Sequence, residues 1–253
     1  MRFPTLIPAL ALALTAGLCA SFAQMTVMNG ASYDTGQPHA PGSFVTVFGQ
    51  NLCSQTATAQ RTDAGDLPTT LGACSVRVNG VPAMLHFASP GQINFVMPMN
   101  VNPGDGTLAI QSGSQVQSGP ITVGVAGPGV FAMNGMGVGD GAVLHATKWK
   151  TGPFSVTTDG QPTPLSIFLT GLDLTTKPSV LIGGMPADVT WYGQTPGSPG
   201  LQQINITLTP EMAGAGRVSM SVVGGIRRAD QQHHLREYSA DYCHDARHAG
   251  LGR

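Results

Sequence analysis

Charge is scarce in this chain of 253 residues, and its scarcity narrows the possible functions. Charged residues make up 10% of the sequence and the net charge is −1, whereas roughly 25% of the residues in an average soluble domain are charged. Binding to nucleic acid or to an anionic membrane surface depends on clusters of Lys and Arg. We therefore expect no nucleic-acid partner.

Long apolar runs are also lacking after the N-terminus. The run at residues 6–18 is too short to cross a bilayer. It follows Arg2 and precedes Ser21 and Ala23, which place small residues at the −3 and −1 positions of a signal-peptide cleavage site. Residues 1–23 are predicted to be a signal peptide, so the mature chain is expected to be secreted, without membrane insertion. Lipid attachment at Cys19 is disfavoured, because Leu18 stands where a lipidation signal has a small residue.

Sequence motifs of catalysis are absent as well. The chain has no Gly-x-Ser-x-Gly, His-Glu-x-x-His, P-loop or dinucleotide-binding motif. His145 and Asp140 lie close in sequence, but no motif places a nucleophile beside them. Asp140 stands between glycines, without the several oxygen ligands of a calcium loop. We predict no catalytic residues, no cofactor and no metal site. A secreted hydrolase with a dispersed site remains an alternative, because a fold alone excludes no activity.

Cysteine is rare, and its positions predict one disulfide. Cys19 belongs to the predicted signal peptide, which leaves Cys53, Cys74 and Cys243 in the mature chain. An oxidising compartment favours pairing. Cys53 and Cys74 bracket a polar loop between two strand-like runs, so we predict a disulfide between them, with Cys243 as the odd cysteine.

Glycine and proline, by contrast, are abundant, and short alternating segments repeat along the chain. Residues 76–98 read VRVNGVPAMLHFASPGQINFVMP, and residues 180–210 read VLIGGMPADVTWYGQTPGSPGLQQINITLTP. The second copy carries seven more residues, all in its Ser-Pro-Gly loop. A duplication of this kind predicts two similar small domains.

The alternating segments predict an all-β protein with two tandem immunoglobulin-like β-sandwiches. About seven short strands fit within residues 24–127, the number expected of such a sandwich. Residues 128–162 are predicted to be a glycine-rich connector, and residues 163–226 the second sandwich. Aligning the copies matches Gly49 with Gly171 and Phe87 with Trp191, which predicts that Trp191 lies in the core. His86 is predicted to face solvent.

The repeated motifs resemble an uncharacterised secreted repeat family of acidobacterial type, commonly found near the C-terminus of large exported proteins. Four segments carry the resemblance: MNGASYDTGQPHAPGSFVTVFGQNL, LPTTLGACSVRVNGVPAMLHFASPGQINFVMP, GPGVFAMNGMGVGDGAVLHA and LSIFLTGLDL, extended by GLQQINITLTP. Together they cover about residues 28–226, and the Ser-Pro-Gly-Gln-Ile-Asn block is the most specific. The resemblance implies an immunoglobulin-like fold similar to IPT/TIG domains, and it implies no activity and no catalytic residues.

The last 27 residues, 227–253, differ from the rest of the chain. They hold nine of the 24 charged residues that follow Gln24 and four of the seven histidines. We predict a disordered tail, and we therefore expect the second sandwich to lack its last strand. The alternative is a metal site formed by residues of this tail, namely His233, His234, Cys243, His244 and His248.

The candidate binding residues are aromatic. Trp149 in the connector is predicted to cover the seam between the two domains, and the alternative is an exposed aromatic side chain in a binding cleft. Tyr192, beside the longer loop, is free to be exposed and to offer a stacking surface. The repeated amides Gln92/Asn94 and Gln203/Asn205 are predicted to hydrogen-bond loop backbone. These features favour a non-catalytic extracellular interaction or spacer module whose partner is an unknown extracellular protein or glycan. A carbohydrate-binding module that uses exposed aromatic side chains is a further alternative.

Overall fold

The computed structural model describes residues 25–60, 66–224 and 238–242, so the predicted signal peptide lies outside the described residues. This part of the chain is all-β and forms two tandem immunoglobulin-like sandwiches of antiparallel strands, as predicted. One short 3-10 helix, Pro210–Met212, lies in the second sandwich.

The first sandwich consists of two sheets. Its strands are β1 (Thr26–Asn29), β2 (Phe44–Phe48), β3 (Ala57–Thr58), β4 (Thr70–Leu71), β5 (Cys74–Val78), β6 (Val81–Pro82), β7 (Met84–Ala88), β8 (Gln92–Val96), β9 (Gly104–Ser112) and β10 (Gln115–Val123). One sheet has the order β1-β2-β8-β7-β3. The other has the order β10-β9-β5-β4, with β6 paired to β5.

The second sandwich repeats this plan with one long strand. Its strands are β11 (Gly129–Val130), β12 (Val143–His145), β13 (Thr157–Thr158), β14 (Gln161–Pro162), β15 (Pro164–Thr170), β16 (Ser179–Ile182), β17 (Met185–Gln194), β18 (Gln202–Thr207), β19 (Gly216–Val223) and β20 (Tyr238–Tyr242). The start of β17 pairs with β16 and its remainder with β18, so β17 corresponds to β6 and β7 together. β11 and β12 come from the predicted connector and pair with β15.

Each sandwich has its own apolar core, formed by the alternate inward positions of its strands. In the first, the largest fully buried side chains include Leu85, Phe95 and Ile110. In the second they include Leu165, Ile167 and Ile182. The alternation in the sequence therefore located most of the core.

Strand register corrects one detail of the alignment between the copies. Asn94 pairs with Thr46, and Asn205 pairs with Ser166. Ser166 is therefore the counterpart of Thr46, and β15 continues two residues further before Gly171 than β2 does before Gly49. The Gly49–Gly171 match holds for the loop but is wrong for the strand that precedes it.

The additional end of β15 forms part of the junction between the sandwiches. The hydroxyl of Thr170 accepts a hydrogen bond from the Phe44 N–H at 2.7 Å and donates one to the Gly200 carbonyl at 2.6 Å. Gly200 belongs to the longer loop of the second copy, where the Ser-Pro-Gly motif is extended. The features that distinguish the second copy therefore hold it against the first.

Two further contacts complete this junction. The buried side chain of Asn29 donates to the Gly127 carbonyl at 2.9 Å, and the Gly127 N–H donates to the Gly171 carbonyl at 2.8 Å. Gly171 has a φ of 82°, and a Cβ there would collide with the Gly127 carbonyl, so the position requires glycine. Buried hydrogen bonds thus connect the two sandwiches directly.

The edge of β19 is covered by a strand from the tail. β20 pairs antiparallel with β19, from Met220 opposite Tyr238 to Gly216 opposite Tyr242, and takes the place that β10 holds beside β9. This corrects the expectation of a missing closing strand. The sequence YSADY at 238–242 alternates with a period of two, a strand signal that the surrounding charge obscured.

Candidate interaction surface

A β-bulge sets the geometry of the aromatic residues on β17. Its register with β18 passes from Val189↔Ile206 to Trp191↔Asn205, which leaves Thr190 as the extra residue. β7 has the same bulge at His86, which stacks edge-to-face on Phe44 with ring centroids 5.4 Å apart and is half-buried rather than solvated. A bulge reorients the side chains that follow it.

The bulge reverses the predicted environments of the two aromatic side chains. Trp191 is 43% exposed, so the prediction that it lies in the core is wrong. Tyr192, which was predicted to be exposed, is half-buried and packs against the second core. If inward and outward positions are assumed to alternate without interruption through the bulge, each of these side chains is assigned to the wrong face of the sheet.

The ring of Trp191 lies against the backbone of its own strand. A Cβ added at Gly193 would stand 2.8 Å from Cζ2 and 3.0 Å from Cη2 of Trp191. Only glycine lets the indole approach this closely, and the exposed fraction of the side chain leaves a ring surface in contact with solvent. Such a flat aromatic surface can stack on an aliphatic side chain or on a sugar ring.

A pocket of about 480 Å³ lies beside this indole. It is lined by Leu174, Lys177, Val189, Thr190, Trp191 and Tyr192. The Lys177 ammonium supplies positive charge, and the Thr190 hydroxyl donates to the Asn205 carbonyl at 3.2 Å. The pocket therefore combines apolar surface, an aromatic ring and one cation.

In the first sandwich a strand covers the edge that corresponds to this pocket. β3 pairs with β7, so that Thr58 lies opposite Phe87 and Ala57 opposite Ala88. The Ala59 N–H donates to the His86 carbonyl at 2.9 Å, and the Leu85 N–H donates to the Pro68 carbonyl at 2.7 Å. The outer edge of β7 is therefore hydrogen-bonded both by the segment before residues 61–65 and by the segment after them.

The second sandwich has no equivalent cover within the described residues. Residues 171–178 connect β15 directly to β16, whereas residues 49–73 make the same connection in the first sandwich. Among residues 25–60, 66–224 and 238–242, no strand pairs with the outer edge of β17 beyond Ala187. We call this stretch, Asp188–Gln194, the open edge.

The predicted disulfide is confirmed, and it anchors the covering segment. Cys53 and Cys74 are bonded, with their Cα atoms 5.7 Å apart. The bridge closes the loop that contains β3 and Pro68. Cys243 lies outside the described residues.

The repeated amides form side-chain networks of their own. Gln203 donates to Asn205 Oδ1 at 2.6 Å and to Ser166 Oγ at 3.1 Å. Gln92 donates to Asn94 Oδ1 at 2.9 Å. The prediction that these amides hydrogen-bond loop backbone is therefore wrong, and their main effect is to tie neighbouring positions of each sheet together.

Trp149 and Tyr192 do not share a site. Trp149 is 64% exposed and follows β12, where its N–H donates to the His145 carbonyl at 2.9 Å. The strand order β12-β15-β18-β17 separates it from the pocket. Trp191, which the sequence argument assigned to the core, is the aromatic residue that accompanies Tyr192.

His145 and Asp140 are held by different partners. Nε2 of the buried His145 lies 3.2 Å from the Thr158 hydroxyl, and its Nδ1 accepts from the Lys148 N–H at 3.3 Å. Asp140 forms an ion pair with Arg217 on β19. His145 thus stabilises its own turn and Asp140 pairs with a distant strand, and these contacts do not assemble the pair into a catalytic site.

The described residues contain no group of three or more His, Cys, Asp or Glu side chains that could hold a metal ion. The histidines of the tail, with Cys243, lie outside the described residues. No helix in the described part of the chain is long and apolar enough to cross a membrane.

Comparison with known proteins gives only weak likenesses. No protein-family model matches the chain, and no curated protein does. Solved structures with partial similarity include the plexin A4 extracellular region, domains 1 to 8 (14% identity, TM-score 0.27, 88% of this chain and 19% of that one). The I9-I11 tandem from titin (9%, 0.25, 82% and 64%) and bovine butyrophilin (9%, 0.26, 86% and 98%) are others. The chain spans about a fifth of the plexin chain. Because these identities and TM-scores are low, the assignment of the fold rests on the pairing of the strands in this chain.

Proposed function

We propose that this chain is a non-catalytic extracellular interaction module. One observation carries the proposal: beside an outward indole, no described strand of the second sandwich covers the edge whose equivalent the first sandwich covers with its own chain. Exposed aromatic surface next to a pocket is typical of recognition sites. The partner is an extracellular protein or a glycan.

Export supports the same proposal. The Cys53–Cys74 disulfide suits an oxidising compartment, and residues 1–23 have the features of a signal peptide. The motif resemblance to secreted acidobacterial-type repeats agrees with this placement. The hydrogen bonds at the junction give the module a spacer role as well, because they hold the open edge in a fixed orientation relative to the first sandwich.

A specific observation favours carbohydrate binding as a second candidate. The Trp191 ring lies against Gly193 and is 43% exposed, and a flat indole surface can stack on the apolar face of a sugar ring. The adjacent Thr190 hydroxyl and Lys177 ammonium are suitable hydrogen-bonding groups. The hydrolase alternative has no comparable support, since His145 and Asp140 are engaged with different partners.

A binding screen on the purified mature protein tests the proposal. Arrays of extended peptides and of soluble oligosaccharides are probed with the native protein, with Trp191→Ala and with Trp149→Ala. We expect Trp191→Ala to abolish binding and Trp149→Ala, which changes an exposed tryptophan away from the pocket, to retain it. Retained binding in Trp191→Ala, or turnover of ester or glycoside substrates that is lost in His145→Ala, would contradict the proposal.

A further inference from the structure

We propose that the open edge of β17 binds an extended polypeptide segment of a partner protein by strand addition. This inference rests on the proposed interaction function and names its mode and its ligand class. Extended segments commonly bind exposed sheet edges through main-chain hydrogen bonds, while pockets for alternate side chains provide specificity. The first sandwich of the same chain shows what such a segment looks like when it is bound.

Register defines the equivalence between the two edges. Leu85 lies opposite Phe95, and Val189 lies opposite Ile206, the residue that follows the shared Asn. Val189 therefore takes the place of Leu85, and Thr190 that of His86. In the first sandwich the Leu85 N–H donates to Pro68 and the His86 carbonyl accepts from Ala59. The groups offered to a partner are thus the Val189 N–H and the Thr190 carbonyl.

The bulge at Thr190 does not prevent pairing. Bulges, charges and short strands are means by which proteins protect exposed edges from unwanted association. β7, however, carries the same bulge at His86 and still pairs with β3 on its outer side. Pairing across this bulge is therefore sterically possible in this fold.

The pocket indicates the side chains that the segment carries. In the first sandwich the covering residues are small and uncharged, in the sequence Thr56-Ala57-Thr58-Ala59. A residue placed like Thr58 would lie opposite Trp191, where β-branched and aromatic side chains form favourable cross-strand pairs. We infer a partner segment of small and β-branched uncharged residues.

A peptide titration followed by backbone NMR tests this inference. The probe is the protein's own covering sequence supplied in trans, residues 53–60 with Ser in place of Cys53. A Thr-Val repeat of equal length serves as a second probe. We expect chemical-shift changes confined to residues 188–194 and to Leu174 and Lys177. N-methylation of the alanine at position 59 removes the donor to the Thr190 carbonyl, and we expect it to weaken binding about tenfold.

Two controls distinguish the outcomes. Trp149→Ala is expected to bind both peptides like the native protein. The inference is overturned if neither peptide shifts residues 188–194 at millimolar concentration, or if the N-methylated peptide binds equally well. Soluble oligosaccharides that shift Trp191 when peptides do not would overturn strand addition and leave the interaction module intact. Loss of peptide binding on N-methylation, with retained binding in Trp149→Ala, supports strand addition.

Discussion

The two sandwiches of this chain share the same strand topology, but they differ in how their strand edges are covered and in where the last strand comes from. The first covers the edge of β7 with β3, closes that covering loop with a disulfide, and brings β10 to β9 through the short turn at residues 113–114. The second has a short connection at residues 171–178, no disulfide within the described residues, and a closing strand from the tail. A repeated fold can thus cover a strand edge in one copy and leave the equivalent edge without a described covering strand in the next.

Acidification is expected to cause the largest loss of stability, in the first sandwich. Burial lowers the pKa of His39 there to about 4 from its ordinary value of 6.5. The unfolded chain therefore binds a proton at a higher pH than the folded chain does. The contribution of neutral, buried His39 to the free energy of unfolding is therefore fully present above pH 6.5. About 3 kcal/mol of it is lost as the pH falls to 4.

Urea unfolding at several pH values measures this effect. His39→Gln removes the titrating group, so the slope of stability against pH between 6.5 and 4 should become shallower than in the native protein. An equal slope in both proteins would show that carboxylates, rather than His39, cause the acid sensitivity.

Removal of the disulfide should affect the first sandwich alone. The bridge joins residues 21 apart in sequence, and the chain-entropy model gives a loop of this length about 3 kcal/mol. We expect Cys53→Ala combined with Cys74→Ala to lower the stability of the first sandwich by this amount, measured by hydrogen exchange of β5 and β9. Exchange from β15 and β18 serves as the internal control, and accelerated exchange there would contradict the independence of the two cores.

The second sandwich relies instead on a buried amide. Gln202 is 2% exposed, and its side-chain carbonyl accepts the Leu172 N–H at 2.7 Å while its amide donates to the Leu172 carbonyl at 3.3 Å. Gln202→Leu leaves these backbone groups without their partner and should cost about 1–3 kcal/mol. Thermal unfolding measures this loss. Gln111→Leu, at an exposed position of the first sandwich, is the matched control, and an equal change in both variants would refute the role of Gln202.

Trp191 should contribute least to stability. Because it is 43% exposed, Trp191→Ala is expected to change the free energy of unfolding by about 0.5 kcal/mol or less. Phe87→Ala, at the equivalent but covered position, should lose more. A loss for Trp191→Ala that matches that for Phe87→Ala would mean that the indole acts mainly in packing.

The sequence was informative where a pattern repeats locally. The alternating runs predicted the two sandwiches, and the cysteines that bracket the loop predicted the Cys53–Cys74 bridge. The environment of Trp191 was missed because one bulge residue, Thr190, reverses every inward and outward assignment after it. The first copy has the same bulge before Phe87, so comparing the copies does not reveal it. A bulge also leaves no recognisable signal in an alternating sequence. The tail strand was missed because its five residues lie among charged ones.

Amide hydrogen exchange at two equivalent residues tests the central claim most directly. In the first sandwich the Leu85 N–H is hydrogen-bonded to the Pro68 carbonyl at 2.7 Å, whereas its counterpart in the second, Val189, lines the pocket and no described strand pairs with that edge. For the free protein at neutral pH, we predict that the Val189 amide exchanges at least about a hundredfold faster than that of Leu85, because an amide without a backbone partner strand is protected less than a hydrogen-bonded one. Equal protection of the two amides would mean that the edge of β17 is already covered, and it would contradict the account.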